Sequence, residues 1–207
     1  MTMTRTHWLL AAAALIAAAA GFYLAQQLDR GSPRLASGTW YPQARALPDF
    51  ELRDAAGMPL TARGLSGTPT LVFFGFTHCP DVCPTTLVKL AQVRRLAAVA
   101  DLKVLFISVD PQRDTPQVIA QYVHAFDPQF QGATGTPAAI AALARQFGVA
   151  VSRVELPGGD YTMDHSAVVF LLNDAASIVG IFTPPFDVSA MAQDLRRAAP
   201  YLRGQRT

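Results

Sequence analysis

One stretch, Thr70-Leu-Val-Phe-Phe-Gly-Phe-Thr-His-Cys-Pro-Asp-Val-Cys-Pro-Thr-Thr-Leu87, limits what this chain can fold into more than any other. Leu71 to Phe76 is a continuous apolar run rich in aromatic and β-branched residues, the pattern of a strand buried on both faces. Leu87, Leu90 and Ala91 then recur at helical spacing, which predicts a helix from about 83 to 99. Both cysteines of the chain, Cys79 and Cys83, fall where the strand gives way to the helix. The first N–H groups of a helix have no internal partner and the macrodipole makes that end positive. A thiolate there is stabilised, so a lowered thiol pKa is expected. Pro80 and Pro84 fit in or before a first turn, where the missing N–H would be unpaired anyway. On a helix, an offset of four puts both sulfurs on one face, one turn apart. They could close a disulfide or grip one soft metal ion. A purely structural disulfide is the plain alternative for two cysteines in an exported chain.

The amino-terminal end supplies the export argument. Residues 1–7 form a short polar stub with Arg5 and His7, read as cytoplasmic. Trp8 to Ala25 follows with 18 residues and no charge, near the lower limit for a spanning helix, with Trp8 and Tyr23 near its ends. Arg5 favours a cytoplasmic amino terminus and places the rest outside. A cleaved export signal is the competing reading, with Ala18-Ala19-Ala20 as small residues for cleavage. Residues 26–47 carry Gly31, Ser32, Pro33, Gly38 and Pro42 and read as a linker. Residues 48–207 then form the folded domain. The chain is 51% hydrophobic and 15% charged, which suits one core plus a membrane segment. A net charge of +2 with no basic block offers nucleic acid no docking surface.

Within the domain, Phe50 to Leu52 reads as a strand before a turn at 55–57, and 61–67 as a connection with one helical turn. Leu102 to Val109 is a second buried strand, so strand, helix and strand imply a parallel pair. Thr115-Pro116 and Thr136-Pro137 each read as an N-cap followed by a first helical residue. Val118, Ile119, Tyr122, Val123 and Phe126 make one apolar stripe; Ile140, Leu143, Ala144 and Phe147 make the other, ended by Gly148. Leu156 to Thr162 reads as a glycine-containing loop. Ala167–Leu172 and Ile178–Phe182 are strands joined through Asn173-Asp-Ala-Ala, and Val188–Leu202 is a closing helix. The order is that of a thioredoxin-like α/β domain: a central mixed sheet flanked by helices, here behind an N-terminal transmembrane anchor.

Phe74-Gly-Phe-Thr-His-Cys-Pro-Asp-Val-Cys-Pro84 resembles the signature of the Sco/SenC family. So do Phe106-Ile-Ser-Val-Asp-Pro-Gln-Arg-Asp-Thr-Pro116 and Gly132-Ala-Thr-Gly135, and the resemblance covers roughly residues 48–185. Members are membrane-anchored, thioredoxin-like copper proteins that help assemble cytochrome c oxidase. The resemblance implies a copper metallochaperone in the inner membrane, its domain facing the periplasm. Its partners would be a copper-receiving oxidase subunit and a thiol reductant or copper donor protein.

A thioredoxin proper has a cis-proline facing its cysteines before the third apolar strand. Here no proline lies between Pro157 and Pro184, and Asp164-His165-Ser166 stands in that place. Taken alone, His165 reads as a loop histidine bonded to backbone. The resemblance makes it the third ligand, because Tyr161-Thr-Met-Asp-His-Ser166 matches the family's ligand segment. Two thiolates and an imidazole suit Cu(I) or Cu(II); they also suit zinc with a water. Asp164 is expected to orient the His165 ring, and Asp110, at the end of a buried strand, to face the site. Met163 reads as a loop or core residue, His78 as a neighbour of Cys79 outside the ligand set, and His124 as solvated. A second function uses the same thiols: a thiol–disulfide reductase acting on the oxidase copper-site cysteines. A peroxidase lacks its Thr-x-x-Cys motif, since Phe76 and Pro80 stand three residues before the two cysteines.

Overall fold

A computed structural model of the chain describes residues 5–29 and 32–203. It divides into two units at Pro33/Arg34. The first holds α1 (Arg5–Asp29), a 25-residue helix with exposed Trp8, Leu10, Leu15, Ile16, Phe22, Tyr23 and Leu24. Among the described residues no helix is long and apolar enough to cross a membrane. Residues 1–4 of the expected stub and 30–31 of the expected linker lie outside the described residues.

The second unit begins earlier than expected. Gly38–Ala46 is not a tether but strand β1, paired antiparallel with β10 (Ser177–Phe182). The glycine and proline signals that read as linker are those an edge strand tolerates. Pro42 falls where the register shifts between Trp40 and Arg45, so its missing N–H costs no regular ladder bond. Just before it, the Asp194 carboxylate, fully buried, accepts the N–H groups of Ala36 and Ser37 at 2.8 and 2.7 Å.

The remaining strands are β2 (Glu51–Asp54), β3 (Pro59–Thr61), β4 (Thr70–Gly75), β5 (Lys103–Ser108), β6 (Gln131–Thr134), β7 (Val151–Glu155), β8 (Tyr161–His165) and β9 (Val169–Leu172). A 3-10 turn at Arg63–Leu65 supplies the expected helical turn. The main sheet runs β1-β10-β9-β4-β5-β6-β2-β3. It is mixed: β4, β5 and β6 are parallel and β9 pairs antiparallel with β4. Helix α2 (Val82–Ala97) lies against α5 (Val188–Leu202), and α3 (Pro116–His124) packs on β6. The fifth helix, α4, spans Pro137–Phe147. Both threonine caps form, with Thr115 Oγ1 accepting from the Val118 N–H and Thr136 Oγ1 from Ala139. Gly148 closes α4 in the left-handed region at φ 74°. The stripe on α3 is narrower than expected. Ile119 and Val123 are buried, but Val118 is 37% exposed and Phe126 lies past the helix end.

Two features of this frame position the site. Every residue of β4 is buried, and Leu71, Val72, Phe73 and Phe74 have no exposed surface. Burying each such side chain contributes about 1.5–3 kcal/mol, so β4 is a fixed wall. The segment expected as a loop over 156–162 is instead the turn and start of a hairpin. β7 and β8 form a separate two-stranded sheet, paired from Val151↔His165 to Glu155↔Tyr161. Half of its residues are exposed, and β7 (Val-Ser-Arg-Val-Glu) gives no clean alternation of hydropathy, which hides that strand from a periodicity reading.

Candidate metal centre

Cys79 lies in the turn after β4, before the helix, and Cys83 is the second residue of α2. The expected arrangement, with both sulfurs on one helix face, therefore does not form. Instead the Cys83 N–H donates to Cys79 Sγ at 3.4 Å, so the first sulfur caps the helix that carries the second. Asp81, at the N-cap position, makes no such bond and accepts from Thr85 Oγ1. Both thiols are free, Cys79 half-buried and Cys83 fully buried. The lowered pKa expected at the helix start fails for Cys83. Burial pushes its thiol up, overriding the Phe76 backbone hydrogen bond that favours the thiolate. The Cys79 side chain and the Asp114 charge push the same way.

His165, the last residue of β8, brings its Nε2 to 3.4 Å from Cys83 Sγ. Phe73 and Phe76 stand edge-on to the imidazole, each with its centroid 6.0 Å away. Burial holds the His165 pKa below its ordinary value, against a Ser166 backbone hydrogen bond and the Asp164 charge. Burial thus favours the neutral ring, the form that ligates metal. No three His, Cys, Asp or Glu side chains among the described residues already stand as a closed cage. Two of the three expected donors, Cys83 and His165, nonetheless have a spacing that suits one soft ion. Bonds of about 2.3 Å to sulfur and about 2.0 Å to nitrogen, meeting near the tetrahedral angle, leave the two donor atoms close to their observed separation.

A thiol pair at the mouth of a central parallel strand, faced by an imidazole from a hairpin, narrows the candidates to a metal or thiol site. The sequence profile of the SCO1/SenC family matches residues 40–200. The chain belongs to the SCO1/SenC family. Arabidopsis thaliana ScoI, whose crystal structure has copper bound, is 35% identical, with a TM-score of 0.72 over 75% of this chain and 99% of that one. Bradyrhizobium japonicum ScoI, also solved with copper bound, is 41% identical, with a TM-score of 0.66 over 72% of this chain and 97% of that one. The mouse mitochondrial SCO2 homolog is 40% identical over 71% of this chain. The chain spans little more than half the length of such curated relatives, 58% of the mouse protein and 51% of the Arabidopsis SCO1 homolog 1. The α/β architecture expected from the sequence is that of the solved Sco structures, thioredoxin-like with a central mixed sheet and flanking helices.

In this SCO1/SenC domain the outer residues differ from expectation. Successive strand residues point to opposite faces, so Tyr161, Met163 and His165 share one side of β8 and Asp164 the other. Asp164 is exposed and does not orient the ring by a hydrogen bond; His165 Nδ1 instead sits 3.3 Å from the Ser166 carbonyl oxygen. Asp110 is 2% exposed and is engaged by the Tyr161 hydroxyl at 2.8 Å and Arg113 Nε at 2.5 Å. It acts on the hairpin, not on the sulfurs. Met163 packs against the core. His78 and His124 are exposed, and the side chain of His7 lies outside the described residues.

Two residues near the site went unread in the sequence. Asp114, fully buried, accepts from Thr77 N–H at 2.9 Å, Thr77 Oγ1 at 2.5 Å and Ser108 Oγ at 2.6 Å. It fixes the loop that presents Cys79. Its signal in the sequence was its place directly before the Thr115 helix cap. Tyr122, read as an apolar-stripe residue, has a buried hydroxyl without a hydrogen-bond partner among the described residues. Burial pushes its phenol up, and the nearby Cys83, Cys79 and Asp114 charges add to the effect.

Proposed function

We propose that this chain is an exported copper metallochaperone that holds one copper ion between Cys79, Cys83 and His165 and passes it to a copper-receiving subunit of cytochrome c oxidase. The observation that carries the reading is the 3.4 Å approach of His165 Nε2 to Cys83 Sγ, with the Cys79 sulfur hydrogen-bonded beside it. A dithiol reductase has no need of an imidazole there; a soft, low-coordination copper site does. Copper is the cargo, and the copper-bound ScoI relatives support its choice over zinc. Membrane attachment rests on Arg5 and the uncharged run from Trp8 to Ala25, which serves as an anchor or as a cleaved signal. Either places the domain in the periplasm, on the inner membrane when the segment is kept.

The second reading is a thiol–disulfide reductase for the recipient's cysteines. The Cys79 thiolate would attack a partner disulfide, releasing one partner thiolate and leaving a mixed disulfide. Cys83 would then displace the second thiolate, so two electrons pass to the partner and Cys79–Cys83 closes; a dithiol reductant must reopen it. The half-buried Cys79 suits the attack, but the raised Cys83 thiol slows the second step. Affinities for Cu(I) and Cu(II), measured with disulfide reduction rates on wild type and His165→Ala, separate the two. The chaperone reading expects a large loss for Cu(II), a modest one for Cu(I) and little change in thiol exchange. Unchanged copper binding in both states would remove His165 from the site and favour the reductase.

A further inference from the structure

The imidazole reaches Cys83 from the two-stranded hairpin. A two-stranded hairpin alone is marginal in water, and β7–β8 lies outside the main sheet. Beyond its ladder pairing with Val151 and its approach to Cys83, His165 has the long contact to the Ser166 carbonyl and the edges of two rings. Val151 and Met163 pack the hairpin against the core, and a set of polar and stacking ties adds to them.

The ties converge on Tyr161, four residues before His165 on the same side of β8. Its hydroxyl donates to Asp110 Oδ1 at 2.8 Å, and its carbonyl accepts from Arg113 Nη1 at 2.9 Å. The guanidinium carbons of Arg113 and Arg153 lie 3.7 and 3.6 Å from the centroid of its ring. Two planar groups that close to one centroid must occupy opposite faces, so the phenol is sandwiched. Arg153, on β7, also donates to Gln112 Oε1 at 2.9 Å. Asp110 and Arg113 belong to the turn after β5, which pairs with β4 up to Ser108↔Gly75. A buried frame thus grips the hairpin through one aromatic ring.

We propose that Tyr161, clasped by Asp110, Arg113 and Arg153, is the positioning residue that holds His165 at Cys83. Tyr161 contributes no ligand; it sets where the ligand stands. This rests on the copper reading above, but its first test needs no metal.

Hydrogen exchange of the reduced, metal-free full chain is measured for wild type, Tyr161→Phe and Tyr161→Ala. Tyr161→Phe keeps the stacked ring and loses the Asp110 bond; Tyr161→Ala loses both. Amides of 151–165 are expected to exchange about threefold faster in the first and at least about tenfold faster in the second, with β4 and β5 protection unchanged. Release of Cu(II) to a chelator should then accelerate about tenfold in Tyr161→Ala, approaching His165→Ala, while Cu(I) retention by the two thiolates stays within about threefold. Unchanged hairpin exchange overturns the proposal, as does equal loss of protection in β4 and β5, which marks general destabilisation. So does unchanged Cu(II) release in Tyr161→Ala when His165→Ala accelerates it. If His165→Ala itself leaves Cu(II) release unchanged, the ligand set fails, and the positioning role falls with it.

Discussion

Adding one methyl group at Gly75 should test whether the frame behind Cys83 sets the proposed metal site. Gly75 ends β4, and a Cβ built there would lie 2.9 Å from Cys83 Sγ and 2.7 Å from Phe106 Cε2. Ordinary heavy-atom contacts are about 3.5–4.0 Å. In Gly75→Ala the sulfur must therefore retreat by about 0.6–1.1 Å and the ring edge by about 0.8–1.3 Å. Neither has free space, since Cys83 and Phe106 are both 0% exposed. Overpacking of this kind costs about 1–3 kcal/mol, which lowers Tm by about 3–9 °C in a domain of this size. Sites of this sort tolerate about 0.5 Å, so the sulfur shift should also weaken Cu(II) binding about tenfold or more. The control is Gly180→Ala on β10, where a Cβ would meet the Thr39 carbonyl oxygen at 2.7 Å, two strands from β4. It should lose comparable stability and keep its copper affinity. Thermal melts and competitive copper titration of both variants decide the matter. Wild-type affinity in Gly75→Ala, or an equal copper loss in Gly180→Ala, would refute the reasoning.

Two further outcomes follow from the same geometry. In the reduced protein, iodoacetamide should label Cys79 on the order of 100-fold faster than Cys83, whose thiol is buried and pushed up; peptide mass mapping checks this, and equal rates would contradict it. Burial alone would raise the Asp127 carboxyl, but the Gln129 N–H and Arg94, at 2.7 Å, more than offset it and hold it below its ordinary 3.8. A depressed folded-state pKa gives stability that is present above the unfolded value and lost as pH falls. Asp127→Asn should therefore cost about 1–3 kcal/mol at pH 7, with the gap in urea midpoints narrowing as pH drops below 3.8. A constant gap down to pH 3 would show that the pair contributes nothing through charge.

Where a segment's own residues settle its conformation, the sequence was legible. The apolar runs became β4, β5, β9 and β10, because burial on both faces leaves a continuous hydrophobic signature. The threonine–proline pairs opened α3 and α4 through local side-chain hydrogen bonds. The closing helix fell on Val188–Leu202 as expected. β1 and the β7–β8 hairpin were not legible. An edge strand can carry proline and polar residues, and a half-exposed hairpin needs no alternation, since both are held by partners distant in sequence. The same division runs through the site. The chemistry of the proposed donors, two thiols at a strand-to-helix turn and a histidine before β9, was legible from residue type and order. Their electrostatics and aim were not. Cys83 sits deep enough for burial to outweigh the helix start, Asp164 faces away by the pleat of β8, and Asp110 grips Tyr161 instead of facing the sulfurs. A thiol's ionisation and a side chain's direction depend on what surrounds them in space, and only the packed domain brings residues 75, 83, 110, 161 and 165 together.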